Sequence, residues 1–189
     1  MRVSIVVPAY NEAANLPTLY ARIRDVFAER PELWQLIVVD DHSADETFAV
    51  ASRLAAEDGR VRAIRFARNA GSHAAILCGL AEADGDCAVV LAADLQDPPE
   101  TIPELLARWQ SGARIVWAVR AERLGESRRT LAFSRFYYWL MRRVAGVRTM
   151  PETGADFFLI DRLVIDALAH FQEVNTSLFA LLCWMGYRQ

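Results

Sequence analysis

The sequence predicts an α/β fold with a mostly parallel sheet flanked by helices, because short β-branched runs alternate with helical patterns along its 189 residues. Three strand-like runs, at residues 3–7, 36–39 and 88–91, lead directly into segments that contain acidic residues. In a parallel α/β sheet the carboxyl ends of the strands lie at one edge, where ligands bind. We therefore expect these acidic segments to converge in one cleft.

Each element is predicted from its own pattern. Runs rich in Val and Ile that end in turn-forming residues are typical of strands, and apolar residues spaced three or four apart are typical of helices. The predicted strands are residues 3–7, 36–39, 61–66, 88–91 and 114–119. The predicted helices are residues 11–28, 45–57, 71–83 and 98–109. A strand-helix unit at 156–169 and an apolar helix at 177–185 follow. Asp45, or else Ser43, is expected to be the N-cap of the second helix.

The composition excludes several classes of protein. A net charge of −3 without a basic stripe gives no case for nucleic-acid binding. All 21 basic residues are arginine, which excludes a P-loop lysine and a lysine-bound cofactor. The three cysteines are widely spaced and predict buried thiols rather than a metal site. No apolar run reaches the ~18 residues of a membrane span.

Residues 128–151 combine arginines with aromatic residues and contain no acidic residue. This composition is typical of an interfacial helix that contacts anionic headgroups or phosphates. It is equally typical of an aromatic core helix with solvated arginines. Both interpretations stay open from the sequence.

Five short segments, taken together, carry a family resemblance. They are Pro8-Ala9-Tyr10-Asn11-Glu12, Val39-Asp40-Asp41-His42-Ser43-Ala44-Asp45, Asn69-Ala70-Gly71, Asp94-Leu95-Gln96-Asp97-Pro98-Pro99-Glu100 and residues 153–162. In this order they resemble family 2 glycosyltransferases of the GT-A (Rossmann-like) fold. The resemblance is closer to the polyprenyl-phosphate sugar transferases, the dolichol-phosphate mannosyltransferase-like branch, and it covers essentially the whole chain.

The resemblance implies a nucleotide-diphosphate sugar as donor. Asp41 would accept hydrogen bonds from the base or the ribose, and Glu12 with the preceding backbone would close over the nucleotide. The sequence does not decide between UDP- and GDP-linked donors. The nucleotide-sugar-binding residues implied in this way are Pro8, Ala9, Tyr10, Glu12, Asp41, Asp94 and Gln96.

Asp94 is the predicted ligand of Mg²⁺ or Mn²⁺, because a hard cation that bridges a diphosphate needs oxygen ligands. The chain departs here from the usual pattern of the family. Ala92 stands where the first carboxylate of an Asp-x-Asp pair is common. We therefore expect either a weaker metal site or a contribution from Asp41 or Gln96.

Asp156 is the predicted catalytic residue, since the resemblance places it beside the acceptor. It would act as a base, or it would position a substrate, because a phosphate acceptor is already anionic. Arg120, Arg123 and Arg135 are predicted to hold the acceptor phosphate. Phe158 is a second departure, because many relatives carry arginine at this position.

The resulting expectation is an inverting glycosyltransferase that moves a hexose to an undecaprenyl or dolichyl phosphate at the cytoplasmic face of the cell membrane. We expect one catalytic domain over residues 1–189, in which about 126–189 face the acceptor and the membrane. The resemblance implies that relatives continue into membrane helices, so this chain is expected to bind the membrane peripherally. Alternatives are a soluble or polysaccharide acceptor, or a non-catalytic nucleotide-sugar-binding domain. Homo-oligomerisation stays open.

Overall fold

A computed structural model describes residues 1–119, 156–171 and 177–189. Its strands are β1 (Arg2–Ala9), β2 (Leu33–Asp40), β3 (Val61–Arg65), β4 (Cys87–Val90), β5 (Ile115–Trp117) and β6 (Phe158–Asp161). They form one sheet in the order β3-β2-β1-β4-β6-β5. The predicted α/β fold is confirmed, and every strand that was predicted overlaps an observed one.

The helices of the described residues also follow the sequence pattern. They are α1 (Leu16–Val26), α2 (Thr47–Glu57), α3 (Ser72–Ala81), α4 (Ile102–Gln110), α5 (Arg162–Leu168) and α6 (Leu178–Trp184). A 3₁₀ turn at Pro99–Thr101 leads into α4. None of the helices within the described ranges is long and apolar enough to cross a membrane.

Two helix starts were predicted too early. Helix α1 begins at Leu16 rather than at residue 11, because Asn11 has a φ of 58° and the carbonyl of Glu12 closes a turn with Asn15 and Leu16. Helix α2 begins at Thr47 with Glu46 at its N-cap, so the prediction of Asp45 as the N-cap was wrong by one residue. In both cases polar residues before the helix make contacts between loops instead.

The sheet has an apolar core on each face because alternate strand residues point to opposite sides. Val38 contributes to one core and Val39 to the other. The first core is covered by α1, α2 and α4, and the second by α3, α5 and α6. The result is a sheet between two helical layers, which leaves its two edges as the places where loops meet.

Strand direction determines which loops meet. β1 pairs in parallel with β2 and β4, and β2 pairs in parallel with β3. β6 is antiparallel to both of its neighbours, β4 and β5, with Phe158 opposite Val90 and Trp117. The amino end of β6 therefore lies at the edge formed by the carboxyl ends of all the other strands.

Gly79 and Pro8 show how the sequence fits the close packing and the strand pairing around β1. A Cβ added to Gly79 of α3 would lie 2.3 Å from Cγ1 of Val6, so only glycine lets α3 approach β1 this closely. Pro8 is tolerated in a central strand because the pairing of β1 with β4 stops at Val6 and Val90, before the missing N–H would be needed.

Candidate active site

The loops that follow β1, β2 and β4 meet the start of β6 at the carboxyl edge of the sheet. They carry Tyr10, Asp41, Asp94 and Asp156, which are predicted site residues from four separate parts of the sequence. A parallel sheet brings such loops together whatever their separation along the chain. The convergence expected from the sequence is therefore present at this edge.

The predicted nucleotide-binding residues at the end of β1 differ in exposure, from the buried Ala9 to the exposed Tyr10. Pro8 and Ala9 are the last residues of β1, and the carbonyl oxygen of Ala9 accepts a 2.9 Å hydrogen bond from the N–H of Asp41. Tyr10 follows with 50% of its surface exposed. The carboxylate of Glu12 is half-buried and accepts a 2.6 Å hydrogen bond from the side-chain amide of Asn15.

Asp41 has a more constrained position than the sequence indicates. Its carboxylate is 3% exposed and accepts hydrogen bonds from the N–H groups of Ala70 (2.7 Å) and Gly71 (2.8 Å). These bonds fix the loop before α3, where Gly71 has a φ of 90°. Asp41 thus joins the β2 loop to the β3 loop, and its contact with a base or ribose stays a prediction.

Asp40, the last residue of β2, has a structural role in the described part of the chain. Its carboxylate is fully buried, accepts from the N–H of Ser43 at 3.0 Å and lies 3.2 Å from Nε of Arg65. Its Oδ2 atom is buried without a hydrogen bond to a described residue, so the pair with Arg65 offsets only part of the cost of burying the charge. Asp40 therefore sets the path of the chain out of β2.

The β4 loop presents Asp94 from a short turn. Its Oδ1 atom accepts a 3.0 Å hydrogen bond from the N–H of Gln96, whose side chain is exposed. Asp94 itself is half-buried, and so is Ala92, which occupies the place of the missing carboxylate. No cluster of three or more His, Cys, Asp or Glu side chains suited to a metal occurs among the residues that the structure describes.

Three non-glycine residues of the described ranges have left-handed backbone conformations, and all three lie in these loops. Asn11 (φ 58°), His42 (φ 60°) and Leu95 (φ 61°) follow β1, β2 and β4, respectively. Such conformations are uncommon outside glycine, most of all for a branched apolar residue such as Leu95. Strained backbone of this kind is concentrated at functional sites, where the surrounding structure maintains it.

Asp156 lies two residues before β6 with its side chain exposed at the same edge. Phe158 is fully buried and packs against Trp117 and Phe179, with ring centroids 5.3 and 5.9 Å away. In this chain Phe158 is therefore a core residue rather than a contact to a phosphate. Arg120, Arg123, Arg135 and residues 128–151 lie outside the described residues.

Several residues of the site were not predicted from the sequence. Ser43, Asp45 and Thr47 were interpreted as helix-capping residues or passed over, yet their side-chain oxygens accept from backbone N–H groups of the β1 loop. Short polar side chains after a strand end mark a turn. The contact with the β1 loop joins two segments more than 30 positions apart, so it has no local signal in the sequence.

The fold and the site together define an α/β protein with a candidate ligand site at the carboxyl edge of its sheet. The chain belongs to glycosyl transferase family 2, whose sequence model matches residues 4–168. The resemblance described from the five segments is thereby confirmed.

Two relatives extend this finding. A glycosyltransferase of Bacillus subtilis (strain 168), YkcC, is 37% identical over 186 residues, which are 98% of this chain and 57% of that protein. A bactoprenol glucosyl transferase of Shigella phage SfV is 32% identical over 186 residues, which are 98% of this chain and 60% of that protein. The chain thus spans somewhat more than half the length of these curated relatives.

A solved structure shows the same fold. The mannosyltransferase PcManGT from Pyrobaculum calidifontis, in complex with GDP-Man and Mn²⁺, matches with a TM-score of 0.68 at 22% identity. The match covers 99% of this chain and 53% of that chain. It confirms the GT-A type of α/β fold that the sequence predicts.

Proposed function

We propose that this chain is the catalytic domain of an inverting glycosyltransferase that moves a hexose from a nucleotide-diphosphate sugar to a polyprenyl phosphate. The observation that carries the proposal is the antiparallel pairing of Val90 with Phe158, which puts the segments of Asp94 and Asp156 at the same edge of the sheet. Donor-side loops and an acceptor-side carboxylate then face one cleft. The bactoprenol glucosyl transferase that is 32% identical over nearly the whole chain supports a lipid acceptor.

On the donor side, the loops after β1 and β2 would receive the nucleotide. Tyr10 presents an exposed aromatic ring for a base, and Glu12 offers a carboxylate oxygen for a ribose hydroxyl. Pro8, Ala9, Asp41 and Gln96 complete the proposed donor-binding set. Both UDP- and GDP-linked sugars fit these contacts.

The residues present fit a divalent cation, either Mg²⁺ or Mn²⁺, beside Asp94. Its Oδ2 atom makes no hydrogen bond or ion pair to any described residue, and carboxylate oxygen suits both cations. With one protein carboxylate, the donor diphosphate must supply further ligands. When bound, the cation would offset the negative charge of the departing nucleoside diphosphate. The Mn²⁺ in the PcManGT complex is consistent with this assignment.

On the acceptor side, an oxygen of the lipid phosphate would form the new bond to the anomeric carbon as the nucleoside diphosphate departs. Asp156 would orient the sugar or the acceptor, because an ionised phosphate needs no base. Arg120, Arg123 and Arg135 are proposed to hold that phosphate. β5 ends and β6 begins at the site edge, so the segment that carries these arginines is attached there at both ends.

A polyprenyl acceptor places the reaction at a membrane surface. We propose that the chain acts at the cytoplasmic face, where nucleotide sugars are made, and that about residues 126–189 form its acceptor-facing part. The described portion of that stretch includes β6, α5 and α6, which belong to the sheet and its second helical layer. Contact with the membrane is therefore assigned to residues near the start of β6. Homo-oligomerisation is a separate question for measurement.

The proposal is tested by incubating the chain with vesicles that contain undecaprenyl phosphate and with radiolabelled UDP-glucose, UDP-GlcNAc or GDP-mannose, each with Mg²⁺ or Mn²⁺. Label in the extracted lipid fraction is the expected result. Transfer to soluble sugars but not to lipid would favour the second acceptor class. Nucleotide binding without transfer to any acceptor would favour a non-catalytic domain. The observation that supports this alternative is Ala92, which stands where a carboxylate is common in the family.

A further inference from the structure

Three consecutive backbone N–H groups of the β1 loop donate to three alternate side chains, two in the β2 loop and one at the first residue of α2. The N–H of Asn11 donates to Oγ of Ser43 at 2.9 Å, and that of Glu12 to Oγ1 of Thr47 at 2.8 Å. The N–H of Ala13 donates to Oδ2 of Asp45 at 3.2 Å. We call Ser43, Asp45 and Thr47 the loop clamp.

The bond directions within the loop clamp are chemically consistent. A hydroxyl has one proton, and Thr47 donates its proton to Oδ1 of Asp45. Its lone pair is thereby directed to the N–H of Glu12. Asp45 also accepts from the N–H of Thr47, and these bonds, against the effect of desolvation, hold the pKa of its carboxyl below the ordinary value.

One bond runs in the opposite direction and closes the contact. Oδ1 of Asn11 accepts from the N–H of Ala44 at 2.9 Å, while Asn11 itself has a left-handed backbone. Ser43 and Thr47 are 2% and 0% exposed, so water competes little with their hydroxyls as an acceptor for these N–H groups. The loop after β1 is therefore held by residues 43–47 as well as by its own turn at Glu12.

We propose that the loop clamp is a set of positioning residues that hold Tyr10 and Glu12 in place for the nucleotide-sugar donor. This inference rests on the proposed function, because it assigns no contact with the donor to the clamp itself. An ordered loop loses less conformational entropy on binding, which raises affinity without an added contact. Thr47 is the central member, since it accepts from Glu12 and donates to Asp45.

The test compares T47V, which removes the hydroxyl at nearly constant volume, with T47S, which restores it. T18V is the matched control, because Thr18 is exposed on α1 and its hydroxyl makes no hydrogen bond to a described residue. Donor affinity is measured by calorimetry with the nucleotide sugar that wild type binds. Amide hydrogen exchange of residues 11–13 is measured without nucleotide.

The expected result for T47V is roughly three- to tenfold weaker donor binding, the scale of one hydrogen bond, together with faster exchange at Glu12. T47S and T18V should both resemble wild type. If wild type binds a nucleotide sugar and T47V binds it with the same dissociation constant, the positioning inference alone is overturned. An exchange rate at Glu12 that is the same in both proteins would overturn it as well. Failure of wild type to bind any nucleotide sugar would overturn the proposed function, and this inference with it.

Discussion

The indole Nε1 of Trp109, in α4, donates a 2.7 Å hydrogen bond to Oδ2 of Asp161, the last residue of β6. Asp161 also pairs with Arg114 at 2.6 Å and caps α5 through the N–H of Leu163. Asp161 lies five positions after Asp156 in the same motif, yet it is at the opposite edge of the sheet. One end of the motif therefore carries the predicted catalytic residue, and the other joins α4 and α5 to the end of β6.

Asp161→Ala should lower the free energy of unfolding by about 3 kcal/mol, because it leaves a partly buried indole N–H, Arg114 and a helix N-terminus without their acceptor. Urea denaturation measures this change. Asp84→Ala is the control, since Asp84 forms an exposed pair with Arg2 and should contribute at most about 1 kcal/mol. Donor affinity of the folded protein should not change. Equal stability of the two variants would show that the contacts of Asp161 do not support the fold.

Asp156→Asn should reduce transfer to the acceptor by about 100-fold or more while donor binding is retained, because the carboxylate acts on the bond-forming side of the cleft. Transfer is measured as lipid-linked label, and binding is measured by calorimetry. Asp166→Asn on α5 is a control that alters an exposed carboxylate. Full transfer activity in Asp156→Asn would remove its catalytic assignment.

Asp94→Ala should weaken donor binding roughly tenfold or more and abolish the part of that affinity that depends on Mn²⁺. The reason is the loss of a carboxylate in the β4 loop whose Oδ2 makes no hydrogen bond or ion pair to a described residue. Calorimetry with and without Mn²⁺ measures both effects. Asp25→Ala, on the exposed surface of α1, is the control. A metal dependence that survives in Asp94→Ala would place the cation elsewhere.

Asp58→Asn should lower stability at pH 7 by about 2 kcal/mol, because Asp58 accepts hydrogen bonds from Arg60 and Tyr20. The bonds from Arg60 are the main reason that the pKa of Asp58 lies well below its ordinary value of 3.8. A carboxyl with a lowered folded-state pKa stabilises the fold above its unfolded-state pKa and loses that contribution as the pH falls.

The difference between wild type and Asp58→Asn should therefore be constant between pH 7 and pH 5 and shrink below about pH 4. Urea midpoints across this range measure it. Glu104→Gln, in an exposed pair with Arg108, should show little difference at any pH. A difference for Asp58 that persists unchanged to pH 3 would show that its charge is not the source.

Gly79→Ala should destabilise the fold by about 1–3 kcal/mol, because the new methyl would overlap Val6 of the central strand. Gly59→Ala is the matched control, since a Cβ there meets nothing within 4 Å. Thermal unfolding compares the two. Val6→Ala combined with Gly79→Ala should recover part of the loss, and absence of any recovery would exclude the overlap as the cause.

The sequence predicts the layer order and the cleft because both depend on patterns within single segments. Residues 36–39 show an apolar run that ends in Asp40 and Asp41, and the structure places that run in a buried strand between β3 and β1. The same holds for residues 88–91 before Asp94. Periodicity and strand-end chemistry are local signals, so one sequence is enough to detect them.

Features that depend on two distant segments were not predicted. The antiparallel direction of β6 is set by pairing between Phe158 and Val90, which no local pattern reveals. The delayed start of α1 results from bonds that residues 11–13 make with the β2 loop rather than from helix propensity. Asp41 was predicted at the end of a strand, where the structure places it. Its two hydrogen bonds from the N–H groups of Ala70 and Gly71 were not predicted, because these donors lie about 30 positions further along the chain.

Because Trp117 and Phe158 are paired neighbours, the chain leaves the sheet and re-enters it at adjacent points of one rim. Selection can lengthen, shorten or exchange the stretch between them without a change in strand order. Under the proposed function, such a change would alter the acceptor side and leave the donor-side loops after β1, β2 and β4 in place.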